Sequence, residues 1–390
     1  MAGIYVHIPF CSSRCIYCNF YSTVGMQQLQ SRYVEAVEKE LEIRRAYIYN
    51  ERVRTLYIGG GTPSSLHPDL IKRLVRFIYD SFSIQEGDIE EFTIECNPDD
   101  ITDDFVRAIT EMGVNRVSLG VQTFSDSRLR FLRRRHNASQ ITNAIGTLRR
   151  YSVQNISIDL IFGFPNESIE EWEADLRSAI ELDVEHISAY SLTYEEGTPL
   201  YRMLAEGRIR ECDEDTYGKM YDLLINTLTS AGYEHYEISN FAKPGRRSLH
   251  NSSYWNDSIY LGVGAAAHSY DKKSRQWNVS DVNQYINEIE SGNIPAEKEV
   301  IDATTHYNDL ITTALRKREG LDIENVKEPY KSFMLANAKK GIENGNISID
   351  NGRLHLTRKG LYISDEVMSD LIFIEKGRTG DVMKTPSIEE

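Results

Sequence analysis

The chain of 390 residues carries 44 basic and 59 acidic side chains, a formal charge of −15 at pH 7. That length allows a large core and more than one domain, and the acidic balance removes any general electrostatic pull towards nucleic acid or anionic lipid. No apolar run approaches the roughly 18–20 residues of a membrane span, and the N-terminus reads as a strand rather than a signal peptide, so a cytoplasmic protein with at most transient membrane contact through its partners is expected.

In chain order, Ala2–Ile8 is predicted as a strand. The next segment, Cys11-Ser12-Ser13-Arg14-Cys15-Ile16-Tyr17-Cys18, holds three of the five cysteines. Strand-like and helix-like runs then alternate. Residues 28–49 predict a helix, 55–58 a strand running into Gly59-Gly60-Gly61-Thr62-Pro63, and 68–82 a helix. Strands follow at 92–95, 116–119, 155–161 and 186–192, with helices at 103–112, 138–151 and 169–182 between them. Six strand–helix alternations imply parallel strands with right-handed crossovers. Six units are too few for the eight-unit barrel, so the predicted architecture is a partly open parallel (β/α)6 barrel over residues 1–200. The cysteine loop, the triple glycine, Glu95, Gln122 and Asp159 all fall at strand C-termini, the end where such barrels gather their reactive groups.

Residues 201–300 are less regular. They are expected to cover part of the barrel opening, with a helix at 214–231 and the glycine-rich run Leu261–Ser269. Residues 301–376 predict helices at 304–317, 330–344 and 357–373 around a hairpin at Asp350-Asn351-Gly352, a winged-helix-like α+β domain. Residues 377–390 are polar and expected to be disordered.

Three thiolates in one loop suit a soft metal centre with an open coordination position. A structural zinc with His7 as fourth ligand would need a second ligand pair, which does not appear downstream. A redox CxxC leaves the third cysteine without a role. A [4Fe–4S] cluster on Cys11, Cys15 and Cys18, with one iron free, uses all three.

CxxxCxxC in a loop after a first strand resembles the signature of the radical S-adenosylmethionine (radical SAM) superfamily. Tyr5–Cys11, Gly59–Pro63, Gly120-Val121-Gln122-Thr123-Phe124 and Asp159–Pro165 are similar to the branch containing oxygen-independent coproporphyrinogen III oxidase and a group of haem chaperones. The resemblance implies that the free iron chelates the methionine end of S-adenosylmethionine, whose sulfonium is cleaved on electron transfer to a deoxyadenosyl radical. By motif position it assigns cofactor contact to Gly60, Gly61, Thr62, Glu95, Gln122, Arg134 and Asp159, and places Tyr5 near the cluster. Tyr17, between two ligands, would pack on the adenine or shield the cluster. Arg134 lies in a run of five arginines, a pattern that more often marks a solvated helix face.

Within that branch, the oxidase pattern has a further cysteine where this chain has Phe20, and an N-terminal extension where this chain begins at its first strand. His250-Asn251-Ser252-Ser253-Tyr254-Trp255 instead resembles the HNxxYW motif of the haem-chaperone group. A neutral imidazole is a suitable axial haem ligand, so His250 is expected to hold haem, with His268 as a rival. The leading expectation is a chaperone that passes haem to client haemoproteins and takes electrons from a flavodoxin or ferredoxin. The alternative is an enzyme of porphyrin biosynthesis, a coproporphyrinogen III dehydrogenase whose radical abstracts hydrogen from two propionates before decarboxylation.

Overall fold

Residues 2–48, 51–85 and 87–375 are described by the computed structural model; the tail expected at 377–390 lies outside them. Six parallel strands are neighbours in sequence and in space: β1 (Ala2–Ile8), β2 (Val53–Gly60), β3 (Glu91–Cys96), β4 (Arg116–Gln122), β5 (Asn155–Phe162) and β6 (His186–Ser191). The helices between them are α1 (Gln30–Ile43), α2 (Pro68–Phe82), α3 (Asp103–Glu111), α4 (Asp126–Phe131), α5 (Ala138–Arg150) and α6 (Ile169–Glu181). The sheet is open: β1 and β6 pair with further strands and not with each other.

Each parallel strand buries both faces, but with different chemistry. Ile4, Val6, Leu56, Ile58, Ile94, Val117, Leu119 and Ile158 belong to the main apolar core shared with the helices. The alternate positions Tyr5, His7, Tyr57, Glu95, Arg116, Ser118, Asp159 and Ser188 line a cavity. A period of two along each strand separates the packing face from the lumen. Local signals start the helices: α5 and α6 open with capping boxes, Asn137 with Gln140 and Ser168 with Glu171, each cap contributing ~1 kcal/mol.

Helix α1 is shorter than the 28–49 expected; of that span, residue 49 lies outside the described residues. A 3-10 turn precedes it, and at its end Arg44 turns inward to donate to the Gly262 carbonyl at 3.1 Å and Ser269 Oγ at 2.9 Å.

Residues 201–300 add strands that no local pattern in the sequence marks. After α7 (Pro199–Ala205) and α8 (Glu214–Ser230), they widen the sheet at both edges. Strands β7 (Glu234–Glu237) and β8 (Asn240–Ala242) extend it antiparallel beyond β6. Helix α9 (Leu249–Tyr254) leads into β9 (Ile259–Val263), which pairs parallel with β1. Strands β10 (His268–Tyr270), β11 (Ser274–Asn278) and β12 (Ala296–Val300) continue antiparallel, with α10 (Val282–Glu290) between the last two. The buried Glu40 carboxylate pins this meander to α1, accepting from Gly264 N at 2.8 Å, Asn278 Nδ2 at 2.8 Å and Tyr285 Oη at 2.6 Å. Gly264 has φ +102°, and a Cβ there would sit 2.5 Å from Tyr33 Oη, so only glycine fits.

The C-terminal unit has its own core, built on Tyr307, Ile311, Leu315, Met334, Leu354 and Leu371. It comprises α11 (Ala303–Arg316), β13 (Leu321–Asp322), α12 (Tyr330–Glu343), β14 (Ile347–Asp350), β15 (Arg353–Leu356), α13 (Arg358–Leu361) and α14 (Ser364–Leu371), with strand order β13-β15-β14. Asn351 and Gly352, at φ +52° and +75°, form the expected hairpin turn. The single helix expected at 357–373 is two, broken where Tyr362 packs edge-on against Tyr221 of α8. Arg358 donates to Asp222 at 2.7 Å and Asn226 at 2.9 Å, and Arg316 pairs with Glu237 at 2.9 Å, so the unit docks on α8 and β7.

Candidate functional site

The cysteine loop is held in place by its one apolar residue that packs inward. Ile16 enters a small cluster with Leu132, Ile161, Phe164, Leu192 and Leu200, a burial that contributes about 2 kcal/mol. Its amide donates to the Leu132 carbonyl at 3.3 Å, and its carbonyl accepts from Leu200 N at 3.0 Å. This fixes Cys11, Cys15 and Cys18 on the wall of a cavity of about 1320 Å³ at the C-terminal ends of the strands. Thr62 Oγ1 donates to Cys11 Sγ at 3.3 Å, and Arg134 Nη1 to Cys15 Sγ at 3.5 Å. Burial raises the Cys11 thiol and pushes Cys18 up to about 12, so these sulfurs stay protonated unless a soft metal takes the proton's place. Among the described residues, no three His, Cys, Asp or Glu side chains converge on a single metal-ion position. A cubane cluster requires no such convergence, because each thiolate binds its own iron. Donors aimed at two of the sulfurs fit such a group. His7 does not complete a zinc site: its Nδ1 is bonded to Tyr5 Oη at 3.0 Å and its Nε2 to the Tyr21 carbonyl at 2.9 Å.

Beside the loop, the end of β2 passes tightly over β1. A Cβ on Gly60 (φ +110°) would lie 2.6 Å from the His7 ring, and one on Gly61 2.8 Å from the Pro9 carbonyl carbon. The Glu95 carboxylate accepts from Gly60 N at 2.9 Å and Tyr57 Oη at 2.7 Å, yet burial still raises it to about 7. Burial likewise raises Asp159 to about 6 against the pull of Ser188 and Arg116. Arg134 is no solvated arginine. It donates to Asn97 Oδ1 at 2.6 Å and the Gly120 carbonyl at 2.5 Å, and a Cβ on Gly120 would collide with its guanidinium at 2.8 Å. Gln122 is held at φ +71°, a left-handed conformation costing a non-glycine residue roughly 1–2 kcal/mol. The structure thus brings Tyr5, Tyr17, Gly60, Gly61, Thr62, Glu95, Gln122, Arg134 and Asp159 to one cavity with the three cysteines.

His250 is placed differently. It lies across the N-terminal ends of β1 and β2, where a Cβ on Gly3 would meet its ring at 3.1 Å. The Glu91 carboxylate accepts from the Leu249 and His250 amides at 2.8 and 2.9 Å and so holds α9 there. The ring is 1 % exposed; Nδ1 bonds Thr55 Oγ1 at 2.8 Å and Nε2 bonds Tyr254 Oη at 2.9 Å. Burial lowers its pKa to about 3. The imidazole is neutral, as iron ligation requires, but both nitrogens are engaged, so the expected haem ligation would have to break one of these bonds. Trp255 of the same motif is buried under the Arg316 guanidinium, 4.9 Å from its ring centroid.

Sequence reasoning passed over Tyr57, Asn97 and Arg116. Asn97 and Tyr57 orient Arg134 and Glu95. Arg116 is 1 % exposed, lines the cavity, and its Nε and Nη1 have no hydrogen-bond partner among the described residues. The signal was the polar residue at every second strand position, in Arg116-Val117-Ser118-Leu119-Gly120 as in Thr55-Leu56-Tyr57.

Six parallel strands with three cysteines in the loop after the first define a radical SAM protein, and the radical SAM superfamily model matches residues 5–179, while the HemN C-terminal domain model matches residues 301–363. Similar curated proteins include the haem chaperone HemW of Lactococcus lactis, 33% identical over 94% of this chain and 96% of that protein, and HemW of Bacillus subtilis, 34% identical over 94% and 98%. Among solved structures, coproporphyrinogen III oxidase (HemN) from Escherichia coli shares the fold at a TM-score of 0.83 and 22% identity, covering 95% of this chain and 90% of that one. The chain belongs to the HemW family. No helix among the described residues is long and apolar enough to cross a membrane.

Proposed function

We propose that this protein is a cytoplasmic haem chaperone of the radical SAM type, which binds haem and passes it to client haemoproteins. Cys11, Cys15 and Cys18 would hold a [4Fe–4S] cluster, with Thr62 and Arg134 donating to two of the sulfurs. Gly60, Gly61 and Glu95 would meet the amino end of S-adenosylmethionine, and Arg134 its carboxylate. Asp159, Gln122, Tyr5 and Tyr17 would line the rest of its pocket. When bound, the cluster supplies one electron from a flavodoxin- or ferredoxin-like donor to the cofactor's sulfonium.

The single observation that carries the reading is the shared cavity. Its volume of about 1320 Å³ exceeds the ~300–1,000 Å³ of ordinary small-molecule sites, leaving space for a flat tetrapyrrole beside the cofactor. Aromatic Tyr254, Tyr260, Tyr270 and Trp277 also line it. Phe20, half-buried in the same cavity, stands where the oxidase pattern has a cysteine, which favours haem handling over porphyrin oxidation. The test is anaerobic reconstitution with iron and sulfide. Saturable haem binding is expected, with no protoporphyrinogen IX formed from coproporphyrinogen III, S-adenosylmethionine and a reductant. Turnover of coproporphyrinogen III would replace this reading with the dehydrogenase.

A further inference from the structure

Four histidines line the cavity, His7, His250, His268 and His306. A ligand for haem iron needs a neutral imidazole with a free nitrogen facing open space. His7 and His250 are buried with both ring nitrogens in hydrogen bonds. His268 differs. It is exposed on the cavity wall, and its ring makes no hydrogen bond to any described residue.

The sheet explains why. β10 is the strand laid over β9, and His268 pairs with Trp277 of β11. Cross-strand partners share a face, and the two rings stack at 6.2 Å with 27° between planes. Two residues along, the pair Tyr270 and Arg275 continues that face. Arg275 is held by Asp309 of α11 at 2.8 Å. The result is an imidazole steadied by a flat indole, on a face that continues to Tyr270, whose ring centroid lies 6.1 Å from that of Tyr260. Although the ring is open to the cavity, the protein around it still desolvates it, and this together with the nearby Arg275 charge lowers the His268 pKa, which favours the neutral imidazole. His306, on α11 of the C-terminal unit, lines the cavity next to the Asp309 carboxylate and has no ring contact among the described residues to orient it.

We propose that His268 is the axial ligand through which this protein holds haem iron, with Trp277 as the ring that orients it, while His250 serves the fold by closing the N-terminal end of the lumen. This rests on the haem-chaperone reading above and assigns the residue within it. No covalent or redox step is involved: one coordinate bond forms between an imidazole nitrogen and ferric or ferrous haem iron.

The experiment is a titration of haem into the full-length wild type, His268→Ala, His250→Ala and His306→Ala, read by visible absorption and by electron paramagnetic resonance of the ferric form. The wild type is expected to show a histidine-ligated spectrum. His268→Ala is expected to lose it, to bind haem at least tenfold more weakly, and to recover the spectrum on addition of free imidazole. His306→Ala is expected to behave as wild type, and His250→Ala to lose stability while its folded fraction keeps the wild-type spectrum. An unchanged spectrum and affinity in His268→Ala, or loss of the signature with imidazole rescue in His250→Ala or His306→Ala, overturns the assignment alone. A wild type that binds no haem overturns the chaperone reading as well.

Discussion

The two ends of the lumen are built from the same six strands and behave oppositely. At the N-terminal end the groups around α9 are answered: Glu91 holds the helix and His250 is bonded at both nitrogens, while Arg116 at the start of β4 keeps Nε and Nη1 without a partner among the described residues. At the C-terminal end the groups are strained or kept from their usual charge state, with Gln122 at φ +71°, Glu95 raised to about 7 and Cys18 to about 12. One end closes the fold; the other keeps binding capacity in reserve. Unspent hydrogen-bonding or ligating capacity, rather than a motif match alone, marks a side chain that is available to a ligand.

Substitutions should separate the two ends. The largest effect is expected from the loop: Cys11→Ala, Cys15→Ala or Cys18→Ala should take reconstituted protein from about four irons per chain to almost none, measured by iron analysis and loss of the brown absorption, with the fold retained in circular dichroism. Next comes Gly60→Ala, which sets a Cβ against the His7 ring at a positive φ. It should cost about 2–3 kcal/mol in urea unfolding and abolish S-adenosylmethionine binding; a full-affinity variant would show that the close passage of β2 over β1 is dispensable.

Proton linkage offers a subtler contrast. Burial lowers His250 from 6.5 to about 3 and His7 from 6.5 to about 4, so the unfolded chain binds protons there that the fold refuses. Their contribution is present above pH 6.5 and is lost as pH falls to about 4 for His7 and about 3 for His250. Glu95 runs the other way. Raised from 4.5 to about 7, it favours the fold below pH 4.5, and that contribution is lost as pH rises through 7. Glu95→Gln should therefore stabilise the metal-free protein by about 1–2 kcal/mol at pH 8 and leave it nearly unchanged at pH 4, as thermal unfolding at both pH values would reveal; an equal gain at both would mean that folding leaves the Glu95 pKa unshifted. The smallest effect is expected from Tyr254→Phe, which leaves His250 one bond short. It should cost about 1 kcal/mol without changing the haem spectrum, and a changed spectrum would move the ligand site to the closed end.

The parallel core was legible because each of its strands and helices declares itself locally, through alternation, caps and glycine turns. The gathering of Glu95, Gln122 and Asp159 near the cysteines followed from topology, since parallel strands put their C-termini on one side. What escaped was decided by distant partners. Arg134 reads as one of five arginines until Asn97, Gly120 and Cys15 surround it. The bonds that Thr55 and Tyr254 make to the two ring nitrogens of His250 are equally invisible in its motif. The pairing of β9 with β1 spans most of the chain, and no local pattern in Leu261–Ser269 announces it.

The central claim is that this radical SAM cavity carries haem for delivery. The direct measurement is to load reconstituted protein with haem under anaerobic conditions, mix it with an apo-haemoprotein, and follow the acceptor's absorption while assaying a parallel sample for coproporphyrinogen III conversion. Haem appearing in the acceptor faster than from free haem, with coproporphyrinogen III untouched, is the predicted result. Haem that stays bound or never binds, or protoporphyrinogen IX in the parallel sample, would contradict it.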